Sequence, residues 1–190
     1  MGCASGNLDE ELVQMGDFSQ IIGIDYDESA LTSAKKRLPN ARYFNANLNH
    51  GNVIGEVSEI VGVEKFMSII ALDVLEHMQN PTKRQEVLEQ LVDHLEDNGV
   101  IIIGMPETAD QNDPWYLKMF KNVWNRFDKD PTHHCKPTTS EFTQDVNSAG
   151  LEIVEDLRYF PIPLPGKMIR LPFSANRMVV ARKVQQSKQR

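Results

Sequence analysis

Short apolar runs alternate with amphipathic segments along the first two thirds of the chain. The run from Ile21 to Ile24 is typical of a buried strand, whereas the spacing of Leu31, Ala34 and Leu38 indicates one face of a helix. This alternation predicts an α/β fold in which helices cover a mainly parallel sheet. We predict strands at residues 21–25, 41–44, 66–72, 100–105, 151–160 and 177–184.

Capping signals predict the ends of two later helices. Asn80-Pro81 combines an N-cap residue with a proline at the first helical position, and the apolar stripe after it extends to Leu95. We predict that Asn98-Gly99 ends this helix. Residues Thr138 to Glu141 have the pattern of a capping box, and the helix that they begin is predicted to end at Ala149-Gly150.

We predict a single domain over residues 1–184, because 190 residues support one substantial core but hardly two full domains. Residues 107–137 interrupt the alternation with Asp, Asn, Lys, Pro and aromatic residues. We interpret them as an insertion with one helix near residues 115–126, and as a candidate cap for a substrate site. The proline-rich residues 161–173 are predicted to connect the last two strands, and residues 185–190 form a polar tail.

Composition and charge argue against some classes of binding partner and some cellular locations. The net charge of -7 argues against a nucleic-acid partner, since affinity for a phosphate backbone depends on Lys and Arg. No apolar run reaches about 18 residues, so we expect no stable membrane insertion. The two cysteines fit a reducing compartment, and the first residues lack the pattern of a signal peptide. We therefore predict a cytoplasmic protein.

The candidate chemistry begins with a turn of small residues at Gly2 to Asn7, followed about twenty residues later by Asp25 at the end of a predicted strand. Small residues let the backbone approach a ligand closely, and the helix after the turn directs free N–H groups at it. The Asp25 carboxylate can accept hydrogen bonds from both hydroxyls of a ribose. The combination predicts a site for a nucleoside-bearing cofactor.

Polar or small residues also follow other predicted strands. Ligands of open α/β sheets bind beyond the carboxyl ends of the strands, so we expect these clusters to converge on one edge of the sheet. Each cluster alone is a weak signal, and together they form a stronger one. The clusters are Gly2–Asn7, Asp25–Tyr26, Asn45–Leu48 and Asp73–His77.

Five stretches together resemble the class I S-adenosylmethionine-dependent methyltransferases of the small-molecule type. The sequence Leu-Asp-Val-Leu-Glu-His at residues 72–77 is the most discriminating, because a nicotinamide-binding fold gives no reason for it. The resemblance implies a Rossmann-like methyltransferase sheet, mostly parallel with an antiparallel last strand, and S-adenosylmethionine as the cofactor. The stretches are Gly2–Leu8, Ile22–Asp27, Ala71–His77, Gly99–Pro106 and Thr139–Leu151.

The resemblance implies cofactor contacts for the turn and the first strand end. Gly2, Cys3, Ala4 and Gly6 would form the turn beside the methionine moiety and the ribose. Asp25 would accept the hydrogen bonds of the ribose hydroxyls. The family often tolerates an alanine, here Ala4, at the middle glycine of this turn.

The resemblance also implies contacts with the adenine and the sulfonium. Tyr26 would flank the adenine. Asn47 stands where the family usually has an Asp, and its side-chain carbonyl can accept a hydrogen bond from the adenine amino group. The backbone N–H of Leu48 would serve a ring nitrogen. Asp73 and the residues up to His77 would line the floor near the sulfonium and the entry to the acceptor site.

One departure from the family concerns the strand that should carry the glycine turn. That first strand and the acidic residue near its end would precede Met1 and are not in this sequence. In the family the strand lies between those predicted here at 21–25 and 66–72. We expect a gap in the sheet through which copies of the chain associate, since exposed strand edges invite pairing. A truncated product or a different pairing would each explain the departure.

The histidines are the candidate general bases. A base is needed only when an acceptor hydroxyl must lose its proton, and the pKa of histidine suits that task. We name His77 and His133 as catalytic candidates, with His134 beside them. His77 has the better position, although a structural histidine in a strand-end loop is an equal alternative. For His133-His134-Cys135 we predict no metal, because adjacent residues cannot easily supply three ligands of a tetrahedral site.

The sequence therefore predicts transfer of a methyl group from S-adenosylmethionine to a small-molecule acceptor with an oxygen or carbon nucleophile. The alternative is a truncated, non-catalytic methyltransferase-like domain that binds the cofactor weakly or not at all. A nicotinamide-dependent oxidoreductase is a more distant alternative. No residue of the sequence identifies the acceptor.

Overall fold

The structure is a computed structural model that describes residues 1–16, 18, 20–127, 130–164, 167–170 and 176–184. Its contacts divide the chain into two compact units, an N-terminal unit, Met1–Gly62, and a C-terminal unit, Val63–Arg190. The single domain that we predict over residues 1–184 stays a prediction. The predicted tail, 185–190, lies outside the described residues.

The N-terminal unit contains three helices and two strands. The strands β1 and β2 pair in parallel, with Ile22 opposite Arg42 and Asp25 opposite Asn45. Both lie within one residue of their predicted bounds. The elements are α1 (Asn7–Met15), β1 (Ile22–Asp25), α2 (Glu28–Arg37), β2 (Arg42–Asn45) and α3 (Val53–Val61).

Helix α2 illustrates how the sequence forms this unit. Asp27 is its N-cap, and the Asp27 carboxylate accepts hydrogen bonds from the backbone N–H groups of Ser29 and Ala30. The apolar stripe then buries Leu31 and Ala34, which pack with Tyr43 of β2 as a small core. This packing holds the first βαβ crossover together.

The edge of β1 that faces away from β2 is partly covered by the N-terminal segment. Cys3 N donates a hydrogen bond to the backbone oxygen of Ile24 at 3.1 Å. On the other edge, the backbone oxygen of Asp25 accepts from Ala46 N at 2.9 Å. The start of the turn thus lies alongside β1, on the side where the resemblance places a further strand.

The C-terminal unit contains a sheet of five strands in the order β3-β4-β7-β5-β6. Strands β3 and β4 are parallel, and β7 is antiparallel to both of its neighbours, as predicted for the last strand. The elements are β3 (Phe66–Leu72), a 3-10 turn (Leu75–His77), α4 (Pro81–Asp93), β4 (Leu95–Pro106), α5 (Trp115–Phe127), α6 (Thr139–Ser148), β5 (Leu151–Leu164), β6 (Lys167–Arg170) and β7 (Asn176–Lys183).

The core of this sheet is centred on β4 and β7. Ile101 pairs with Ala181 and Ile103 with Val179, and these four side chains have no exposed surface. Phe142 of α6 is equally buried. Residues directly opposite each other in an antiparallel pair point to the same face, so the four strand side chains form one packed face of the two strands.

Three expectations about the helices, the strands and the sheet need correction. Helix α4 ends at Asp93, not at Asn98-Gly99, because Leu95 is already in β4 and pairs with Phe66. Part of the predicted connection 161–173 is strand, since β5 continues to Leu164 and β6 follows it as a hairpin. Residues 165, 166 and 171–173 of that connection lie outside the described part of the chain.

The third correction concerns the number of sheets. Hydrogen bonding divides the strands into two sheets, β1-β2 and the five-stranded sheet, whereas we expect one. Each sheet ends at one of the two strands, β1 and β3, between which the resemblance places the additional strand. That this strand is lacking stays a prediction.

A buried ionic network lies at the end of β4. Glu107 has no exposed surface, and neither has Lys121 of α5, whose Nζ donates to Glu107 Oε2 at 3.0 Å. The same ammonium donates to Asp113 Oδ2 at 3.0 Å. Arg158 and Arg177 also donate to the Glu107 carboxylate, at 3.1 and 3.2 Å. The network attaches the insertion helix to strands β5 and β7.

We expect Lys121→Met to lower the free energy of unfolding by about 3–5 kcal/mol, because removal of one partner leaves buried carboxylates without their cation. Arg158 and Arg177 still compensate the negative charge of Glu107. Much of the lost free energy of unfolding therefore comes from the buried carboxylate of Asp113. Urea denaturation followed by circular dichroism measures the difference.

Lys118→Met is the matched control on the same helix. The Lys118 ammonium donates to the backbone oxygen of Gln111, and we expect its loss to change the free energy of unfolding by about 1 kcal/mol or less. Equal effects of the two substitutions would show that the buried network does not stabilise the unit.

Candidate functional site

The turn that precedes α1 adopts the conformation that small residues permit. Gly2, Ala4 and Gly6 all have positive φ, at 61°, 44° and 75°. Gly6 N donates to the backbone oxygen of Cys3 at 2.9 Å and closes the turn. Gly6 is also the N-cap of α1 and supplies no side-chain acceptor. The first N–H groups of α1 therefore remain available to a ligand.

Asp25 ties this turn to the end of β1. Its Oδ2 accepts a hydrogen bond from Ala4 N at 2.8 Å, and its Oδ1 accepts one from Asp27 N at 2.9 Å. A carboxylate oxygen has two lone-pair sites, so each oxygen retains one acceptor site. The structure thus brings the predicted turn and the predicted ribose acceptor together through a direct bond.

Close packing beneath the turn explains two of the glycines. A Cβ on Gly23 would lie 2.4 Å from a ring carbon of Tyr43 and 2.9 Å from Cys3 Sγ. A Cβ on Gly6 would lie 3.0 Å from that of Ala34. The backbone of β1 and that of the turn are therefore held at distances that only glycine allows.

The residues predicted to contact adenine follow β1 and β2. The Tyr26 side chain is 68% exposed, which suits an aromatic surface that covers a ligand. Asn47 Oδ1 accepts a hydrogen bond from Asn49 N at 3.0 Å, which fixes the side chain in a local turn. The Leu48 side chain is buried, so only its backbone can face a ligand.

Cys3 lies half-buried between the turn and β1. Burial raises the pKa of its thiol from 9.0 to about 11, and the negative charge of Asp9 adds to the rise. A thiol with such a pKa is a weak nucleophile at neutral pH. In the turn Cys3 therefore acts through its backbone and its packing.

Asp73 stands at the carboxyl end of β3 in the C-terminal unit. It is exposed, and its φ of 53° is in the left-handed region. Its backbone N–H donates to the oxygen of Gly104 at 2.8 Å. Non-glycine residues with such a φ cluster at functional sites, where the surrounding structure compensates the strain.

His77 and His133, the two catalytic candidates, meet in the C-terminal unit. Their ring centroids are 4.8 Å apart in an edge-to-face arrangement. His77 Nδ1 lies 3.2 Å from the backbone oxygen of Thr132 and 3.0 Å from Thr132 Oγ1. His134 is exposed and lies outside this pair. The insertion therefore supplies a partner to the histidine of the strand-end motif.

Sequence reasoning missed Glu76 as a member of this cluster. Its side chain has no exposed surface, and one ligating atom from each of Glu76, His77 and His133 lies within 4.8 Å of the others. Glu76 belongs to the motif at residues 72–77, and that motif was the signal in the sequence that could have indicated it. Nothing in the sequence indicated that His133 would lie beside it.

Three aromatic residues of the insertion are exposed on α5. Trp115 is 76% exposed, and Tyr116 and Phe120 are also exposed. A separate core for the insertion is therefore not formed by these side chains. Leu117 of the same helix is buried. The role of residues 107–137 as an acceptor-site cap stays a prediction.

Comparison with known proteins places the chain among methyltransferases. A family described as "Methyltransferase domain" matches residues 1–156. The trans-aconitate 2-methyltransferase of Rhodopseudomonas palustris (strain HaA2) is 28% identical over 129 residues, which are 65% of this chain and 44% of that enzyme. The chain thus spans less than half the length of this relative.

Solved structures share the fold. An S-adenosylmethionine-dependent methyltransferase from Clostridium acetobutylicum has a TM-score of 0.68 at 14% identity, over 97% of this chain and 82% of that one. A second, from Methanosarcina mazei, has a TM-score of 0.65 at 16% identity, over 97% and 91%. The Rossmann-like α/β fold class predicted from the sequence is confirmed.

Among the described residues, no helix combines the length and the apolar character needed to cross a membrane.

We expect alkylation of Cys3 by iodoacetamide at pH 8 to be about 100-fold slower in the folded protein than in urea, because a pKa of about 11 instead of 9.0 depletes the thiolate. The variant Cys135→Ser isolates the Cys3 reaction, and mass spectrometry follows it. The rate in the folded protein should still rise between pH 9 and pH 10. The expected rise over this interval is about tenfold for a pKa of about 11 and about twofold for a pKa of 9.0, so a twofold rise would contradict the raised pKa.

Proposed function

The chain belongs to the family of methyltransferase domains, and on that premise we propose that it transfers a methyl group from S-adenosylmethionine to a small-molecule acceptor. The family membership confirms the resemblance on which the sequence-based prediction depends. S-adenosylmethionine is the methyl donor named for the solved structures that share the fold.

The observation that carries the proposal is the bond between Asp25 and the glycine turn. The contact from Ala4 N to Asp25 Oδ2 holds the carboxylate beside the N-terminal end of α1. A nucleoside ligand needs this pair of features, an acceptor for its ribose hydroxyls and a backbone that it can approach closely. We assign Gly2, Cys3 and Gly6 to the backbone part of the cofactor site.

The remaining assignments follow the ends of the strands. Tyr26 would cover the adenine, and the side-chain oxygen of Asn47 would accept from the adenine amino group while it retains its bond from Asn49. Leu48 would contribute its backbone N–H. Asp73 belongs to the C-terminal unit, and its place near the sulfonium stays a sequence-based prediction.

Methyl transfer is a displacement at a carbon that the sulfonium already activates. The protein mainly aligns the acceptor atom, the methyl group and the sulfur, and such alignment contributes about 7–11 kcal/mol to lowering the barrier. An oxygen acceptor also needs a base. His77 suits that task, because the Thr132 carbonyl fixes its ring orientation, and His133 is the second candidate.

The relatives support a small acceptor with carboxylate groups, since their name specifies trans-aconitate. The alternative remains a methyltransferase-like domain without catalysis. The edges of β1 and β3 support that alternative, because each strand pairs with only one named strand of the described chain. Self-association through these edges is part of the same proposal.

We expect the chain to bind S-adenosylhomocysteine in preference to NAD, and Asp25→Asn to weaken that binding by about 10- to 100-fold. The reason is that a hydrogen bond to a charged group contributes about 1.5–3 kcal/mol. Titration calorimetry measures both affinities, and asparagine retains the size of the side chain.

Glu28→Gln is the matched control, an exposed carboxylate three residues along the chain that makes no bond to the turn. We expect it to leave the affinity for S-adenosylhomocysteine unchanged. Preferential binding of NAD, or equal losses in the two variants, would refute the cofactor site.

We expect tritium from the labelled methyl group of S-adenosylmethionine to appear in trans-aconitate or in another small carboxylic acid in the presence of the chain. Chromatography of the products identifies the acceptor. Binding of S-adenosylhomocysteine without any methyl transfer across such a panel would favour the non-catalytic alternative.

A further inference from the structure

Three side chains from distant parts of the sequence meet in the C-terminal unit. Glu76 and His77 follow β3, and His133 belongs to the insertion, more than fifty residues later. One ligating atom from each lies within 4.8 Å of the other two. Two imidazoles and one carboxylate are a common donor set for metal ions.

Glu76 is the most deeply buried member of this cluster. Its side chain has no exposed surface, and transfer of a carboxylate from water to a protein interior is unfavourable without a cation or strong hydrogen bonds. A divalent cation shared by the three side chains would lie beside this buried carboxylate.

The contacts of His77 determine which of its nitrogens faces the cluster. The backbone oxygen of Thr132 can only accept, so His77 Nδ1, 3.2 Å away, is the donor in this contact. In the neutral ring Nε2 is then the nitrogen that can bind a metal ion. Ligating histidines usually donate their other N–H to a carbonyl or carboxylate, which orients the ring.

The hydrogen bonds that orient His77 continue through Thr132 to the carboxylate of Asp130. Thr132 Oγ1 donates to Asp130 Oδ1 at 2.6 Å and so can accept from His77 Nδ1 at 3.0 Å. Asp130 Oδ2 also lies 3.7 Å from His133 Nε2. A single loop, residues 130–133, thus orients both imidazoles.

From this arrangement we propose that Glu76, His77 and His133 bind one divalent cation of the borderline class, such as Zn²⁺. Mg²⁺ and Ca²⁺ prefer oxygen ligands, whereas two imidazoles favour Zn²⁺ and its transition-metal neighbours. Ligand atoms about 2.0–2.2 Å from a metal are closer together than 4.8 Å, so side-chain rotation contracts the cluster when the ion binds.

Three protein ligands leave a coordination position open. Structural zinc sites have four protein ligands, whereas sites with three hold water or substrate in the fourth position. An oxygen of the acceptor fits that position, and the ion would orient it and favour its deprotonated form. This last step depends on the proposed methyl transfer, and the binding of the ion does not.

The proposal differs from the sequence-based expectation of no metal for a specific reason. That expectation considered ligands within and after His133-His134-Cys135. In the structure the additional ligands, Glu76 and His77, come from before the insertion. His134, which the sequence makes equally attractive, lies outside the cluster.

The test is titration calorimetry of the full chain with Zn²⁺, in the absence of S-adenosylmethionine and after treatment with a chelator. We expect one equivalent of Zn²⁺ to bind, and His133→Ala to weaken that binding at least tenfold. Titration with Co²⁺ should also produce the visible absorption of a low-coordinate site in the unmodified chain but not in the variant.

His134→Ala is the matched control, since it removes the neighbouring exposed imidazole and should leave the affinity for Zn²⁺ unchanged. His77→Gln provides a second ligand variant, and circular dichroism shows which variants are folded. Absence of Zn²⁺ binding by the unmodified chain, or equal affinities of folded ligand variants and control, would overturn the site.

Titration of the same preparations with S-adenosylhomocysteine separates this proposal from the proposed function. Binding of the nucleoside without the metal would overturn only the metal site. Binding of the metal without the nucleoside would support the metal site and count against the cofactor site.

Discussion

The C-terminal unit depends on a carboxylate that is completely removed from water. Glu107 follows the last residue of β4, and its charge is stable there only with cations beside it. Lys121 comes from α5, Arg158 from β5 and Arg177 from β7. Because all three donate to one carboxylate, the insertion helix and two strands are fixed to the end of β4. The insertion is therefore part of the core of this unit.

Much of the fold could be predicted because its strands are apolar runs and its helices begin at strong caps. The strand at residues 66–72 and the helix after Asn80 are examples. Prediction failed where pairing between distant strands, and not the local pattern of apolar residues, determined the structure. Leu95 continues the helical stripe of α4, but pairing with Phe66 places it in β4. Strand β6 was missed because its hairpin partner, the end of β5, contains prolines that argue against a strand.

The candidate site was predictable where it depends on neighbours in sequence. The turn and Asp25 belong to one βαβ unit, so their proximity follows from the fold class. The cluster of Glu76 and His133 was not predictable, since the path of the insertion decides which of its histidines faces the strand end. Lys121 was missed for a related reason. A lysine on an amphipathic helix is usually solvated, and only the structure shows the carboxylates that bury it.

The position of β7 has a consequence for the order of folding during synthesis. The last strand of the chain lies in the middle of its sheet, between β4 and β5. Ribosomes add about 5–20 residues per second, so β4 is made about 4–14 s and β5 about 1–2 s before the strand that joins them. During that interval both strands have unpaired edges, and Glu107 lacks its ion pair with Arg177. The C-terminal unit consequently closes its sheet after elongation has passed Lys183, and nascent chains that stop earlier expose strand edges to the cell's chaperones.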